Sequence, residues 1–131
     1  MKLRFRKSLL FLLLPFLLAF QCEEENTGFE TQYLVQNDSG SDLFLIKPEN
    51  LIIEIGSQST ITVGSTLNSE TSPILPTESS VINSIKLYKM DSADLILVYS
   101  QDPLNDDLWV FDEPSVNRFE YKLIITDALI D

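Results

Sequence analysis

Four oxygen-bearing side chains lie close together late in the chain: Asp102, Asn105, Asp106 and Asp107. Carboxylate and amide oxygens are the ligands that Ca²⁺ prefers in proteins. If this segment curls, the four side chains could surround one Ca²⁺, although a solvated acidic loop explains the same residues without a metal. An earlier polar run at 37–42 also has spaced oxygen donors, but it lacks the acid that an EF-hand places at position twelve. A turn accounts for that run.

Trp109 is the only tryptophan, and it has two interpretations. Its ring could form a platform on which a sugar stacks, with Tyr88, Tyr99 or Phe111 beside it. It also lies between two apolar residues in a run typical of a strand, so packing in the core accounts for it and is the interpretation we favour. We therefore hold Trp109 as a candidate ligand-stacking residue and as a candidate core residue.

Several kinds of active site are excluded by composition. The chain has no histidine and one cysteine, which removes Ser-His-Asp and Cys-His arrangements, standard zinc sites and any internal disulfide. A pair of carboxylates could hydrolyse a glycosidic bond. However, twenty acidic residues produce many accidental pairs. We expect that the protein is not an enzyme and that it holds no cofactor, apart from the Ca²⁺ considered above.

The N-terminus has the pattern of an export signal. Residues 1–7 contain four basic and no acidic side chains, and residues 9–20 are uncharged and almost entirely apolar. A basic segment followed by a short apolar segment is typical of a secretory signal. A transmembrane helix needs about 20 apolar residues, whereas this run is shorter and is interrupted by Pro15. We expect residues 1–21 to be removed.

The segment that ends at Cys22 resembles the lipobox of bacterial lipoprotein signals. Ala19, Phe20 and Gln21 precede the cysteine, and Gln21 departs from the Gly, Ala or Ser that this family usually has there. The resemblance implies that the Cys22 thiol accepts a diacylglyceryl group and that a dedicated peptidase cuts just before it. Ordinary signal-peptidase cleavage favours an A-x-A pattern, which these residues fit less well. Residues 22–28 would then form an acidic tether.

Charge limits the partners of the mature chain. Residues 22–131 contain twenty acidic and five basic residues, a formal net charge of −15. Nucleic-acid binding depends on neutralising phosphates with Lys and Arg, so we expect none. Attraction to an anionic membrane surface is disfavoured for the same reason. Contact with a membrane would therefore occur through lipidated Cys22.

Residues 29–131 show short apolar runs separated by turn residues, at the length of one domain. The clearest alternation is at 119–125, where Phe119, Tyr121, Leu123 and Ile125 lie on one face. The predicted strands are 32–36, 43–46, 51–55, 60–63, 85–90, 95–99, 108–111 and 119–125. The pair 85–90 and 95–99 has the pattern of a hairpin. We predict an all-β, immunoglobulin-like sandwich of seven or eight strands, with a small antiparallel barrel as the alternative.

The order of features also resembles small Bacteroidota-type surface lipoproteins with a compact β domain. The cysteine is followed by acidic residues 23–25, a first strand runs into Asn37-Asp38-Ser39-Gly40, and the chain ends in the strand around Tyr121 to Thr126. In that family an acidic stretch after the lipidated cysteine marks export to the cell surface. The resemblance implies an outer-membrane protein displayed at the surface, with a periplasm-facing position as the alternative.

These observations together predict a lipid-anchored envelope protein with a non-enzymatic structural or interaction role, whose protein or glycan partner the sequence does not identify. The alternative is a ligand-binding module that depends on carbohydrate or calcium. The expected contact surface is the loop end of the sandwich, at 65–80 or 101–107, because long irregular segments often carry function.

Overall fold

The computed structural model describes residues 29–68 and 71–131. The predicted signal peptide, Cys22 and the acidic tether lie outside the described residues. Within the described residues, no helix is long and apolar enough to cross a membrane.

Eight β-strands form the part of the domain that the structure describes. They are β1 (Phe29–Asn37), β2 (Leu43–Lys47), β3 (Leu51–Ile55), β4 (Ser59–Asn68), β5 (Ile85–Asp91), β6 (Asp94–Gln101), β7 (Trp109–Ser115) and β8 (Arg118–Ile125). Short 3₁₀ turns lie at Pro48–Asn50, Pro76–Glu78 and Asp106–Leu108, and a four-residue helix, α1, follows β8 at Asp127–Ile130.

The strands form two four-stranded sheets. Sheet I has the order β4-β1-β8-β7, and sheet II has the order β3-β2-β5-β6. All pairings are antiparallel except that of β1 with β8, which is parallel. The predicted all-β sandwich is confirmed, and the described strands do not close into a barrel. The order of the strands differs from the ABED and CFG order of immunoglobulin constant domains, so the likeness is one of architecture.

The core lies between the sheets and follows the alternation of the strands. Tyr33 and Val35 of β1, together with Leu123 and Ile125 of β8, point inward and are almost fully buried. Leu43, Ile55, Ile85 and Leu87 face them from sheet II. Because residues i and i+2 of a strand lie on one face, the period-two pattern of β1 and β8 is sufficient to build half of the core.

The segment that joins β4 to β5 covers part of sheet I. Its Pro76, Ser79 and Ile82 are buried, and the Ile74 carbonyl accepts a hydrogen bond from the Tyr33 hydroxyl at 2.7 Å. The prediction that irregular structure begins at residue 65 is wrong, because β4 continues to Asn68 in register with β1. Ser65 and Thr66 of β4 pair with the polar residues Gln32 and Thr31 of β1, so the strand continues through residues that lack the apolar side chains by which a strand is predicted.

Candidate functional site

The two loops expected to form the contact surface are joined to one another. Asp106 accepts two hydrogen bonds from Thr77, one from the backbone N–H at 2.9 Å and one from the hydroxyl at 2.6 Å. Both carboxylate oxygens of Asp106 are therefore already engaged. Leu104 and Gln101 of the second loop are buried in the domain. These loops complete the core, which is a structural role.

The other three predicted calcium ligands are spread along the same segment. Asp102 lies 3.9 Å from the Lys86 ammonium group, in an exposed ion pair. The Asn105 side-chain oxygen accepts the backbone N–H of Asp107 at 3.1 Å and so caps the 3₁₀ turn. In the part of the chain that the structure describes, no three acidic, histidine or cysteine side chains form a group that could hold a metal ion. A calcium site at 102–107 stays a prediction.

Trp109, the predicted stacking residue, lies in the core. It is 5% exposed, and its ring meets that of Tyr33 edge to face, with centroids 6.4 Å apart. Its indole N–H donates to the side-chain oxygen of Gln101 at 3.1 Å, and the same oxygen accepts the backbone N–H of Asn105 at 3.1 Å. Stacking of a sugar on Trp109 would require the ring to leave these partners.

Aromatic packing continues from Trp109 towards the β7–β8 hairpin. Tyr33 stacks on Tyr121 with centroids 6.2 Å apart, and Phe111 lies 5.4 Å from Tyr121 and 6.0 Å from Phe119. Burial raises the pKa of the Tyr33 hydroxyl above its ordinary value, and burial also raises the pKa of Tyr121. Both hydroxyls are therefore neutral near pH 7, and neither has the properties of a catalytic base.

The early polar run at 37–42 is a structural network. The Asn37 amide is fully buried, and it donates to the carbonyls of Ser41 and Ile55 at 2.8 and 3.0 Å. Its oxygen accepts the backbone N–H of Ser39 at 3.0 Å and the hydroxyl of the same residue. The turn interpretation of this run agrees with the geometry, since these oxygens bond to the chain itself.

A cavity of about 230 Å³ opens between β2, β4 and the start of β5. Its lining is mainly aliphatic, and includes Leu45, Val63, Ile82 and Ile85, with Lys47 among the polar residues. None of its lining residues is aromatic, so it offers no ring on which a sugar could stack.

The largest departure from the expected pattern is the outer face of sheet II. Three registered pairs place apolar residues on this face: Ile46 opposite Ile52, Phe44 opposite Tyr88, and Met90 opposite Leu95. Leu97 of β6 lies opposite Tyr88 on its other side, so Phe44, Tyr88 and Leu97 form one row across three strands. The exposed fractions are 36% for Ile46, 53% for Ile52, 53% for Met90 and 49% for Leu97. We call these seven residues the sheet II patch.

Sheet I shows the ordinary arrangement by comparison. The outward residues of β1 are Glu30, Gln32, Leu34 and Gln36, and those of β8 include Glu120 and Lys122. Ser65 and Gln32 both hydrogen-bond to Glu30, which lowers the pKa of that carboxyl. An antiparallel sheet usually has one face on the core and one face in water. Sheet I follows this rule more closely than sheet II, because its outward apolar residues are interspersed with polar and charged ones; these apolar residues are Leu34, Leu67, Val110 and Ile124. Sheet II is largely apolar on both faces.

The formal charge of sheet II also differs from that of the rest of the domain. The strands of sheet II carry three basic residues, Lys47, Lys86 and Lys89, and three acidic ones, Glu54, Asp91 and Asp94. Residues 29–131 as a whole carry seventeen acidic and five basic residues. Sheet II is therefore neutral within a domain of net charge −12, and its outer face is the surface on which an apolar contact meets the least electrostatic opposition.

The sequence contained a signal for the sheet II patch. The runs LFLI in β2, LII in β3 and LILVY in β6 are continuously apolar. Such runs are typical of strands that are buried on both faces, whereas β1 and most of β8 in sheet I alternate. The acidic loops and Trp109, on which the predicted sites were based, carry no information about this difference between the sheets.

Comparison with protein-family models, with curated proteins and with solved structures finds no match to this chain.

Proposed function

We propose that this chain is a lipid-anchored envelope protein whose sandwich domain acts as a non-enzymatic interaction module. The observation that carries the proposal is the sheet II patch. The largest contiguous apolar patch on a soluble domain is often a functional contact site. Placing the contact on sheet II replaces the earlier expectation of a contact at the loop end, because those loops contribute buried residues to the domain.

The anchor in this proposal is Cys22. A single acyl chain binds a membrane only marginally, whereas two attachments hold stably. A lipidated cysteine with two or three chains is therefore a lasting anchor. The tether at 22–28 has an extended reach of roughly 20 Å, so the domain stays close to the outer membrane. Surface display is the location we favour, because acidic residues 23–25 directly follow the anchor.

The intact mass of the mature protein tests the anchor. The expected result is a chain that starts at Cys22 and carries the added mass of diacylglycerol, with or without a further acyl group. An unmodified Cys22, or a terminus at another residue, would contradict the proposed location. This measurement is independent of what the domain contacts.

Site-specific photo-crosslinking in intact cells tests the interaction role. A photoreactive residue at Leu97, on the sheet II patch, should give defined covalent adducts. The same residue at Thr62, on the outer face of sheet I opposite Leu34, is the matched control and should give few. Equal labelling at both positions, or none at either, would count against an interaction role for this face.

The ligand-binding alternative has its own measurement. A ligand that binds only the folded state raises the apparent stability of the protein. Thermal unfolding with and without Ca²⁺, and acrylamide quenching of Trp109 fluorescence with and without glycans, therefore test the calcium and carbohydrate versions separately. A shift of the melting temperature with Ca²⁺ that Asp107→Asn removes would favour the calcium version.

A further inference from the structure

We infer that the partner of the sheet II patch is a second copy of this chain, which packs its own sheet II patch against the first about a two-fold axis. The inference rests on the proposed interaction role and names the partner. The evidence is the register of the four strands, the charge of the sheet and the size of the face.

The charge of sheet II allows the patch to pair with the same patch of a second copy. A two-fold contact places identical patches together, so any net charge on the patch would be met by an equal charge of the same sign. Sheet II avoids this penalty because its strands carry equal numbers of acidic and basic residues. The outer face of sheet I holds three acidic residues, Glu30, Asp112 and Glu120, and two basic ones, Arg118 and Lys122, and its strands as a whole carry four acidic and two basic residues. Self-pairing through sheet I would therefore be opposed by charge.

The chemistry of the patch is also that of a homodimer contact. Interfaces between identical subunits are more apolar than the average protein surface and are poor in charged residues at their centre. The central strands of sheet II, β2 and β5, place Phe44, Ile46 and Tyr88 in the middle of the face. Lys86 and Glu54 also point outward, and they lie beside this centre.

The small area of the face indicates that the pair is weak. Four strands at about 4.8 Å spacing and about 3.3 Å per residue give a face of roughly 19 by 20 Å, or roughly 400 Å². A standard stable interface buries about 800 Å² on each partner. The expected pair is therefore weak in dilute solution. Two-dimensional confinement by the anchor raises the effective concentration, as linking does for two tethered modules, and so favours pairing on the membrane.

Cysteine crosslinking of the full chain in its own membranes tests the inference. Ile46→Cys places a thiol near the centre of the patch, where residues of two fully overlapping patches lie close to their own copies. Gln36→Cys, on a central strand of sheet I, is the matched control. The unsubstituted chain reports any product formed through Cys22. With two differently tagged copies and a short bismaleimide, Ile46→Cys should give a covalent product that contains both tags.

A second substitution distinguishes a specific pair from collision in the membrane. Leu97→Asp, added to Ile46→Cys, places a carboxylate without a partner in the contact, and we expect at least about a ten-fold loss of crosslinked product. Trp109 fluorescence confirms that the variant is folded. Equal product from Ile46→Cys and Gln36→Cys, or no effect of Leu97→Asp, would overturn the inference.

The outcome also separates this inference from the proposed function. If Leu97 photo-adducts contain a different protein and Ile46→Cys gives no doubly tagged product, the interaction role stands and self-pairing is wrong. If Cys22 is unmodified but the doubly tagged product forms, self-pairing stands and the anchor is wrong.

Discussion

Gln101→Leu should destabilise the domain because one amide side chain joins β6 to the loop before β7. Gln101 is 5% exposed, and its oxygen accepts hydrogen bonds from the indole of Trp109 and from the backbone of Asn105, both at 3.1 Å. Its nitrogen donates to the Tyr99 hydroxyl at 2.5 Å. Leucine is similar in size but cannot make any of these bonds.

The magnitude follows from the groups that would be left without partners. A buried donor that loses its acceptor costs about 1–3 kcal/mol, which applies to the indole N–H. The Asn105 backbone N–H belongs to an exposed residue and can turn to water, so its loss adds about 0.5–1 kcal/mol. The extra apolar area of leucine returns roughly 1 kcal/mol. We expect a net loss of about 0.5–3 kcal/mol in the free energy of unfolding, which at its upper end is a large part of the 5–15 kcal/mol typical of a domain.

Urea unfolding of the purified mature chain measures this loss. Trp109, the only tryptophan, reports the local environment, and circular dichroism reports the sheets, so the two midpoints should agree. Gln36→Leu is the matched control, since the Gln36 amide bonds only to exposed Asp38, and it should change stability by less than about 0.5 kcal/mol. If Gln101→Leu is as mild as Gln36→Leu, the buried network does not hold the loop and the reasoning fails.

Three further changes have expected outcomes. Gly64→Ala places a Cβ 3.0 Å from a methyl carbon of Val81, so we expect the free energy of unfolding, measured in urea, to fall by about 1–2 kcal/mol. Adding Val81→Ala should restore most of this loss. A single variant as stable as the unsubstituted chain would contradict the prediction. Ala93→Gly should raise the free energy of unfolding by about 1 kcal/mol, because Ala93 has φ 77° in the turn of the β5–β6 hairpin; a loss of stability would show that the turn does not carry this strain. The raised pKa of Tyr33 favours its neutral form in the folded state, so stability should be constant below pH about 10, the unfolded value, and fall as the pH rises towards the higher folded value. Tyr33→Phe should show a shallower alkaline fall in pH-dependent urea midpoints, and identical slopes would refute the assignment.

Local patterns predicted most of the strands. The alternation of Phe119, Tyr121 and Leu123 fixed β8, and its inward residues are buried as predicted. The predicted hairpin is confirmed, since β5 and β6 pair across Asp91 and Asp94. Each of these features depends on residues close together in the chain, where side-chain alternation and turn residues act directly.

Pairing between distant strands could not be predicted from such patterns. β1 lies beside β8 in parallel, with Tyr33 opposite Tyr121, although 87 residues separate the two. Nothing in either strand alone specifies the other as its neighbour, because an alternating strand fits beside many others. The burial of Gln101 could not be predicted for the same reason, because it depends on the position of Trp109 at the start of β7.

At the candidate site, too, contacts between distant residues could not be predicted from the sequence. Acidic residues drew attention to 102–107, yet Asp106 bonds to Thr77 across the domain, which composition does not reveal. The sheet II patch was visible in composition, but its meaning depends on which strands are neighbours. Ile46 and Leu97 lie on the same face only because β2 and β6 both flank β5.

The distribution of charge then decides how such a domain can associate. Nine of the sixteen acidic residues that the structure describes lie outside the strands, whereas all five basic residues at 29–131 lie within them. The acidic connections therefore oppose approach of a second copy end to end. At physiological salt the Debye length is about 8 Å, shorter than half the roughly 20 Å length of the face along its strands. Charges at the ends are consequently screened at the centre of the sheet II patch, where apolar contact is opposed least.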